Sequence, residues 1–310
     1  MKYAIISDIH GNLPAFKAVL EDAKAQNADM YLLLGDYTSG YPWGNDVTEV
    51  IRGLSPAVVI GGNGEGYLSD LRQRNETDFS HNQFKPVYWA YRSLTADNIK
   101  YLTELPETAV VPHVNDKIHL SHTVSMVHHK QVADFFNPHN FHIMMTSAPI
   151  THDEYLIRAK EALLSCPEAL AEINALPKEI YLFGHNHIQF HMEHDGRLFI
   201  NPGSCGDAID WNPTAAYTLL TCTDESWAVK ERRIQYDLNI VANGLKTSGF
   251  SAYSPMWSEI IRLQLLTAKN YFYQFVIHLI ETGKKLGHDE YPVSNDVWDT
   301  AVKSWDANQV

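Results

Sequence analysis

The chain has 310 residues, a formal net charge of −13 at pH 7 and three cysteines. This length can form one large α/β domain, or a domain with an appendage, around a sizeable core. The acidic balance argues against general binding to nucleic acids or anionic membranes, because both interactions rely on lysine and arginine. Three scattered cysteines are too few for a disulfide framework or a thiolate metal cluster, and they favour a reducing, cytoplasmic environment.

Strand and helix patterns alternate over the first two thirds of the chain. The N-terminal sequence MKYAIISDIHGN lacks the cleavage site of a signal peptide and predicts a buried strand over Lys2 to Ser7. Further strands are expected over Met30 to Leu34, Ala57 to Ile60, Lys117 to Ser121 and Glu179 to Phe183. Helical patterns lie between them, over Leu13 to Ala23, Val47 to Arg52, Pro86 to Leu105 and Glu154 to Ala175. This alternation predicts an α/β layered fold.

After residue 183 the pattern changes to hairpins and then to helices. The predicted strand pairs are Ile188 to Glu193 with Arg197 to Asn201, and Ala215 to Cys222 with Trp227 to Tyr236. The later sheet is therefore expected to be antiparallel or mixed. A long helix is predicted from Pro255 to Gly283. Its most apolar stretch is about half the ~20 residues that a membrane-spanning helix needs, so no transmembrane segment is expected.

Metal-capable side chains directly follow five of the predicted strands. They are Asp8 and His10, then Asp36, Asn63 and His122, and finally His185 and His187. The carboxyl ends of the strands in an α/β sheet meet at one edge, where ligands and catalytic groups are found. The sequence therefore gathers two carboxylates, one amide oxygen and four imidazoles in one place.

This set of side chains suits two metal ions that share one carboxylate. Seven ligands are too many for a single catalytic zinc ion, which usually takes three protein ligands and water. Residues two apart on an extended segment point to the same side, so both members of each Asp-x-His or His-x-His pair can reach one cluster. Oxygen and imidazole ligands without thiolate favour Mn, Fe, Zn, Ni or Co, and the sequence does not discriminate among these metals.

The glycine-rich sequence GGNGEG at residues 61–66 has two interpretations. Its main-chain amides could cradle a phosphate in a dinucleotide-binding oxidoreductase, or its bare backbone could let Asn63 reach a metal. The first interpretation requires G-x-G-x-x-G at the start of an amphipathic helix. The glycines here have another spacing, and Tyr67 to Asn75 is a poor apolar stripe. A metal-ligand loop is therefore expected.

The segments SDIHGN, LLGDY, GGNGE, LSHT, GHNH and NPGS together resemble the motifs of the calcineurin-like metallophosphoesterase superfamily, in family order over about residues 1–235. The resemblance implies an α/β fold, a four-layer αββα sandwich with the site at the sheet edge. It also implies that Asp36 bridges two metal ions. One ion is then bound by Asp8, His10, Asp36 and His187, and the other by Asp36, Asn63, His122 and His185.

The chain is expected to divide into a core and an extension. Residues 1–235 form the predicted metallophosphoesterase core, with insertions near 66–106 and 123–150 over one face. Residues 236–310 lie outside the resemblance and are expected to form a helical extension that packs on the core. Aromatic stripes at helical spacing in this extension are typical of a core, and they also allow a homodimer contact.

The resemblance implies a binuclear metal-dependent phosphoesterase, and a phosphodiesterase above all. Two-metal chemistry turns a water shared by the ions into hydroxide for in-line attack on phosphorus. The expected substrate is a small-molecule phosphoester or nucleotide. Alternatives are a diadenosine-polyphosphate hydrolase or a Ser/Thr protein phosphatase, both suggested by SDIHGN, and a non-catalytic metal-binding scaffold. This chemistry needs no serine or cysteine nucleophile, so Ser204 and Cys205 are interpreted as structural.

One departure from the superfamily pattern bears on the substrate. Many members carry a histidine directly after the metal-binding asparagine, where this chain has Gly64. Loss of a general acid typically costs about 10² to 10⁴ in rate unless the leaving group is already a weak base. The substitution therefore favours phosphodiesters, activated esters or phosphoanhydrides over alkyl monoesters. His152 is a candidate replacement for the missing acid, with a surface position as the alternative.

Two other residues near the ligands are candidates for catalytic roles. Glu65 either accepts hydrogen bonds behind a metal ligand and orients it, or is a loop carboxylate that faces water. Asn12 either faces the substrate or caps the helix that follows it, which is the common role of asparagine at such a position.

Overall fold

The computed structural model describes residues 1–75, 78–113, 117–124, 151–223, 226–288 and 290–307. These residues form two mixed sheets, with the strand orders β10-β9-β1-β2-β3 and β4-β5-β6-β8-β7. The strands are β1 (Lys2–Ile6), β2 (Met30–Leu33), β3 (Ala57–Val59), β4 (Thr108–Pro112), β5 (Lys117–Ser121), β6 (Ile180–Leu182), β7 (Gln189–His194), β8 (Arg197–Pro202), β9 (Ala215–Cys222) and β10 (Trp227–Ile234). Strands β1, β2 and β3 run parallel, as do β5, β6 and β8, and the other neighbours are antiparallel.

Helices flank both sheets and make up the C-terminal region. They are α1 (Leu13–Ala25), α2 (Gly44–Gly53), α3 (Asn63–Arg72), α4 (Lys85–Ser93), α5 (Ala96–Thr103), α6 (His152–Leu164), α7 (Pro167–Ala175), α8 (Leu238–Thr247), α9 (Phe250–Tyr253), α10 (Pro255–Thr267), α11 (Tyr271–Lys285) and α12 (Asn295–Ser304). Within the described ranges, each helix is too short or too polar to cross a lipid bilayer.

The two sheets pack face to face with a layer of helices on each outer side. Ile5 and Leu32 of the first sheet share one apolar cluster with Leu182 of the second sheet. On the outer face of the first sheet, Phe16 of α1 packs in a cluster with Ile6. Helix α7 covers the outer face of the second sheet in the same way. The predicted four-layer αββα sandwich is therefore confirmed.

Strand β1 shows why the N-terminal sequence is apolar at successive positions. Successive side chains of a strand point to opposite faces of the sheet. Tyr3 and Ile5 are buried between the sheets, whereas Ala4 and Ile6 are buried beneath the helices. A strand covered on both faces requires a nearly continuous apolar run, and β1 has one.

Three predicted helical stretches are wrong as single helices, because each is interrupted. The stretch 86–105 divides at Thr95, whose side chain accepts a hydrogen bond from the main-chain N–H of Asn98 and caps α5. The stretch 154–175 divides before Pro167, which begins α7. The stretch 255–283 divides at Ala268, which has a left-handed φ of 52° and ends α10.

The C-terminal helices build a cluster of their own around aromatic side chains. The ring centroid of Trp257 lies 5.4 Å from those of both Phe275 and Trp298. Tyr41, from the loop after β2, is buried in the same cluster, so the C-terminal helices pack directly on the sandwich. The division into a core and an extension stays a prediction. Residues 125–150 of the second predicted insertion lie outside the described residues.

Candidate metal centre

The structure brings the seven predicted ligand residues together where the parallel strands of both sheets end. Two groups form, each with one possible ligand atom per residue and all of these atoms within 4.8 Å of one another. The first group is Asp8, His10 and His187, and the second is Asp36, His122 and His185. Asn63 joins the second group, since its Oδ1 lies 3.1 Å from His122 Nε2.

The Asp36 carboxylate lies between the two groups. Its Oδ2 is 3.5 Å from Nε2 of His122 in the second group. The same oxygen is 3.9 Å from Nε2 of His10 in the first group. Asp36 is also only 4% exposed. One buried carboxylate therefore faces both groups, which is the geometry required of a bridging ligand.

Five of the seven predicted ligand residues have a backbone conformation in the left-handed region. The residues with positive φ are Asp8 (54°), His10 (51°), Asp36 (56°), His185 (70°) and His187 (59°). Such a conformation is uncommon for residues other than glycine, and its cost is tolerated mainly at functional sites. All five residues lie within five positions after the end of β1, β2 or β6.

Three of the imidazoles are oriented by main-chain carbonyl groups. His10 Nδ1 lies 3.1 Å from the Ser39 carbonyl oxygen and His122 Nδ1 lies 2.7 Å from that of Leu34. His187 Nδ1 lies 2.6 Å from the Asp207 carbonyl oxygen. Because a carbonyl oxygen only accepts, each Nδ1 carries the proton and donates it. Each Nε2 of the neutral ring then keeps a free lone pair, as histidines that bind metals do.

The contact between His10 and His187 requires a cation. Their Nε2 atoms are 3.1 Å apart, and with both Nδ1 atoms protonated each neutral ring presents a lone pair to the other. Either a proton or a metal ion must lie between them. Metal–nitrogen bonds of about 2.0–2.1 Å place two nitrogens of one ion about 3 Å apart. Buried Asp8 Oδ1 has no hydrogen-bond partner among the described residues. The donor set therefore fits a metal ion.

The charges of the site compensate one another. Burial raises the pKa of Asp8, but His187 beside it lowers the pKa more, to about 2. Burial opposes ionisation of Asp36 too, yet His122 holds its pKa far below the usual range. Burial lowers the pKa of His187, whereas Asp8 raises it to about 9. Burial and His122 lower the pKa of His185 to about 4, so that ring is neutral at pH 7. The two carboxylates thus require positive partners.

Comparison with known proteins decides the family. Residues 1–225 match the sequence model of the calcineurin-like phosphoesterase superfamily domain. The chain belongs to this superfamily. An uncharacterized protein of Methanocaldococcus jannaschii, MJ0912, is 25% identical over 250 residues, which cover 76% of this chain and 88% of that protein. The predicted resemblance is therefore confirmed.

Two solved structures share the fold of this chain. A metallophosphoesterase from Sphaerobacter thermophilus has a TM-score of 0.55 and 21% identity, over 86% of this chain and 100% of that chain. The hypothetical protein PH1004 from Pyrococcus horikoshii OT3 has a TM-score of 0.60 and 17% identity, over 86% of this chain and 98% of that chain. At this level of identity the two structures support the architecture.

Glu65 is buried and binds the main chain of two neighbouring loops. Its Oε2 accepts hydrogen bonds from the main-chain N–H groups of Asp36 at 2.9 Å and Gly62 at 2.8 Å. Its Oε1 accepts from Tyr37 at 3.0 Å. Burial raises the pKa of Glu65, and the Asp36 carboxylate raises it as well. Glu65 is thus buried against the main chain of Asp36 and does not face water, and its role in orienting a metal ligand stays a prediction.

The GGNGEG segment begins a helix, so its interpretation as a loop is corrected. Asn63 is the first residue of α3, with Gly62 as its N-cap and Glu65 in the capping box. A Cβ on Gly62 would lie 2.3 Å from Asp36 Oδ1, and a Cβ on Gly64 would lie 3.0 Å from it. These two glycines allow α3 to approach Asp36 closely. At Gly64, where many superfamily members have histidine, the main-chain N–H donates to Asp36 Oδ1 at 2.7 Å.

Asn12, Ser204 and Cys205 have structural surroundings. Asn12 Oδ1 accepts from the Ala15 N–H at 3.2 Å and caps α1, and its Nδ2 donates to the Gly206 carbonyl oxygen at 2.8 Å. These bonds support the capping alternative for Asn12. The Ser204 hydroxyl donates to the Asp8 carbonyl oxygen at 2.7 Å. Burial raises the pKa of the Cys205 thiol well above its usual range.

Two residues near the centre were not predicted from the sequence. The carbonyl oxygen of Asp207 accepts a hydrogen bond from the Nδ1–H of His187. The position of Asp207 shortly after the NPGS motif is the sequence signal that could have indicated this residue. Tyr67 lies on α3 one turn after Asn63, and its side chain is half exposed. The side chain of His152, the candidate acid, lies outside the described side chains.

Proposed function

We propose that the chain is a binuclear metal-dependent phosphoesterase that hydrolyses phosphodiester or phosphoanhydride bonds. The observation that carries the proposal is the pair of ligand groups on either side of the Asp36 carboxylate, with the Nε2 atoms of His10 and His187 facing each other at 3.1 Å. Two sites that share a carboxylate are the arrangement of two-metal hydrolases. Membership of the calcineurin-like phosphoesterase superfamily supports the same class of reaction.

In this proposal the seven side chains divide between two transition-metal ions. One ion is held by Asp8, His10, Asp36 and His187, and the other by Asp36, Asn63, His122 and His185. When bound, two such ions supply Lewis-acid stabilisation of the phosphoryl oxygens and activate water as the nucleophile. Mn, Fe, Zn, Ni and Co all suit this combination of oxygen and imidazole donors.

The protein itself contributes orientation and charge compensation. The main-chain carbonyl groups bound to Nδ1 of His10, His122 and His187 fix the rings with Nε2 directed into the site. Glu65 holds the main chain of Asp36 at a fixed distance from the start of α3. Ligands oriented in this way need no rearrangement when charge develops in the transition state, and such preorganisation is a large part of catalysis.

The substrate class follows from Gly64. This residue offers no side chain that could protonate a leaving group, and its N–H is occupied by Asp36 Oδ1. A leaving group that is a weak base departs without such help, whereas an alkoxide does not. Aryl phosphodiesters and phosphoanhydrides, including the phosphoanhydrides of nucleotides, are therefore the proposed substrates. The net charge of −13 supports a small molecule over a nucleic-acid polymer.

The test measures bound metal and Mn²⁺-dependent hydrolysis of an aryl phosphodiester, an aryl phosphomonoester and diadenosine tetraphosphate. We expect two metal ions per chain and fastest turnover of the diester. Asp36→Asn and His122→Ala are expected to abolish turnover and to lower the bound metal. His119→Ala is the matched control, because His119 lies on β5, the strand that His122 directly follows, but contacts Glu179 instead of the centre.

Other outcomes identify other functions. Preferred hydrolysis of diadenosine tetraphosphate would assign the chain as a dinucleoside polyphosphate hydrolase. Two bound ions without turnover of any ester would assign a metal-binding scaffold. Failure to bind metal after supplementation with Mn²⁺, Fe²⁺, Zn²⁺, Ni²⁺ and Co²⁺ would contradict the metal centre itself.

A further inference from the structure

A buried glutamine connects the C-terminal helices with the candidate metal centre. Gln264 lies on α10 and is 2% exposed. Its Nε2 donates to both carboxylate oxygens of Asp207, at 2.9 and 2.8 Å. Its Oε1 accepts the main-chain N–H of Phe272 at 3.1 Å. Because both ends of the amide group are bonded, the orientation of this side chain is fixed.

Asp207 is joined to two of the proposed ligands through its main chain. Its carbonyl oxygen accepts the Nδ1–H of His187 at 2.6 Å. Its N–H donates to the hydroxyl of Ser204 at 2.7 Å, and that hydroxyl donates to the carbonyl oxygen of Asp8 at 2.7 Å. A continuous run of hydrogen bonds therefore leads from Gln264 to the backbone of Asp8 and to the ring of His187.

The C-terminal end of α10 fixes the same segment at a second point. The Trp211 N–H donates to the carbonyl oxygen of Ala268 at 2.9 Å. The Lys269 ammonium lies 4.8 Å from the centroid of the Trp211 ring. Tyr41, which packs among the C-terminal helices, donates its hydroxyl to Asp207 Oδ1 at 3.1 Å. Residues 207–211 are thus held from the side of the extension.

The Asp207 carboxylate also stands close to the ligand that its carbonyl group orients. Its Oδ2 lies 3.7 Å from His187 Nδ1. A carboxylate is a stronger acceptor than a carbonyl oxygen for such an N–H. While the amide group of Gln264 donates to both carboxylate oxygens of Asp207, the Nδ1–H of His187 remains hydrogen-bonded to the Asp207 carbonyl oxygen. Without the Gln264 donors, the carboxylate would compete for this proton, and the His187 ring would no longer be held in one orientation.

We propose that Gln264 is a positioning residue for the metal centre, acting through Asp207 on the orientation of the His187 ring. The inference rests on the proposed function, since it concerns the same metal site. Residues 1–225 match the superfamily domain, so Gln264 lies in the part of the chain beyond that match. The C-terminal helices thereby take part in building the site.

The effect of Gln264 is expected to be visible in metal binding. Loss of a partner behind a metal ligand typically lowers metal affinity about 10- to 100-fold. Gln264 acts one step further away, so we expect Gln264→Leu to weaken Mn²⁺ binding about tenfold at one of the two sites. In metal-free protein labelled with ¹⁵N-histidine, we expect the Nδ1 proton of His187 to exchange with solvent faster than in the wild type.

Ser258→Ala is the matched control. Ser258 is a buried polar residue on the same helix, and its hydroxyl is bonded to that of Ser251 at 2.7 Å, within the C-terminal helices. This variant should leave the Mn²⁺ affinity and the His187 proton exchange unchanged. Wild-type affinity and exchange in Gln264→Leu would overturn the inference, and so would an equal effect of Ser258→Ala.

A double-mutant cycle separates the proposed route from general destabilisation. If Gln264 acts through Asp207, then Asp207→Ala alone weakens Mn²⁺ binding and Gln264→Leu adds little to it. Additive losses of Mn²⁺ affinity in the double variant would overturn the proposed route. Wild-type Mn²⁺ affinity in Asp207→Ala would overturn it as well. This second result remains decisive if Gln264→Leu does not fold. Because proton exchange is measured without metal and binding without substrate, both readouts stand even if the wild type hydrolyses no ester.

Discussion

The Glu65 carboxylate accepts a hydrogen bond from the main-chain N–H of Asp36 at 2.9 Å. The same oxygen accepts from Gly62 at 2.8 Å, at the N-terminus of α3. The loop that carries Asp36 and the helix that carries Asn63 are therefore tied to one buried side chain. The spacing of these two proposed ligands depends on a residue that contacts neither side chain.

Glu65→Gln should weaken both the fold and the metal site. Three main-chain N–H groups point at the carboxylate, and a glutamine would place its own NH₂ group against at least one of them. An unsatisfied buried donor costs about 1–3 kcal/mol, so we expect a loss of about 3 kcal/mol in the free energy of unfolding. Urea denaturation of metal-free protein measures it, and Mn²⁺ titration should show about tenfold weaker binding.

The control for Glu65 is a carboxylate on the surface. Glu49→Gln removes an exposed partner of Arg52, three residues away on α2. Exposed pairs of this kind contribute about 0.5 kcal/mol or less. If Glu65→Gln changed the free energy of unfolding as little as Glu49→Gln, the assignment of Glu65 as the link between the two loops would be wrong.

The two glycines of α3 that flank Glu65 should respond oppositely to alanine. A Cβ on Gly66 meets nothing within 4 Å, whereas one on Gly64 meets Asp36 Oδ1 at 3.0 Å. Gly66→Ala is expected to stabilise the helix by about 0.5–1 kcal/mol. Gly64→Ala is expected to destabilise the protein by about 1–2 kcal/mol, because Asp36 must move. Thermal unfolding compares the two variants, and equal shifts of Tm would contradict the close approach.

The sequence was sufficient to predict the layered fold and to name the residues that the structure gathers. Asp8 and His122 each follow an apolar run, and a polar side chain after a buried strand lies at the sheet edge in any fold of this class. The predicted ligands could therefore be named without knowing that β1 and β5 belong to different sheets.

Local irregularities and distant contacts could not be predicted. Ala268 ends α10 in a left-handed conformation for which alanine has no preference, so the pattern indicated a continuous helix. Helix α3 was missed because its first turn contains two glycines, which are poor helix formers. The bond between Asp207 and Gln264 joins residues 57 positions apart, and no local pattern encodes such a pairing.

Asp22 should make the free energy of unfolding depend on pH. Its carboxylate accepts from Arg232 Nε at 2.5 Å and from the Tyr217 hydroxyl at 2.5 Å, which joins α1 to β9 and β10. The Arg232 guanidinium holds the pKa of Asp22 below its ordinary value of 3.8. A carboxyl whose pKa is lowered in the folded state stabilises the fold above the unfolded pKa, and this contribution is lost as the pH falls through the folded pKa.

Asp22→Asn is expected to lower the free energy of unfolding by about 1–2 kcal/mol at pH 7. The difference between wild type and variant should begin to shrink below about pH 4, where the carboxyl of the unfolded chain becomes protonated, and should be lost as the pH falls through the lower pKa of the folded state. Urea denaturation between pH 3 and pH 7 measures it. Glu259→Gln, which removes an exposed partner of Arg262 on α10, should change stability by less than about 0.5 kcal/mol throughout. A difference for Asp22→Asn that is constant with pH would contradict the assignment.

Tyr67 is expected to contribute to substrate binding. It lies one helical turn after Asn63, so the two side chains share a face of α3, and its ring is 50% exposed. Aromatic side chains bind bases and aryl groups by stacking, worth about 1–3 kcal/mol per ring. We therefore expect Tyr67→Ala to raise KM for an aryl phosphodiester about tenfold while kcat is retained, because stacking acts equally on ground and transition states. Tyr67→Phe keeps the ring and should leave KM unchanged. Steady-state kinetics distinguishes the two variants, and an equal loss in both would show that the effect comes from the hydroxyl group, which is hydrogen-bonded to Asn63, and not from stacking on the ring.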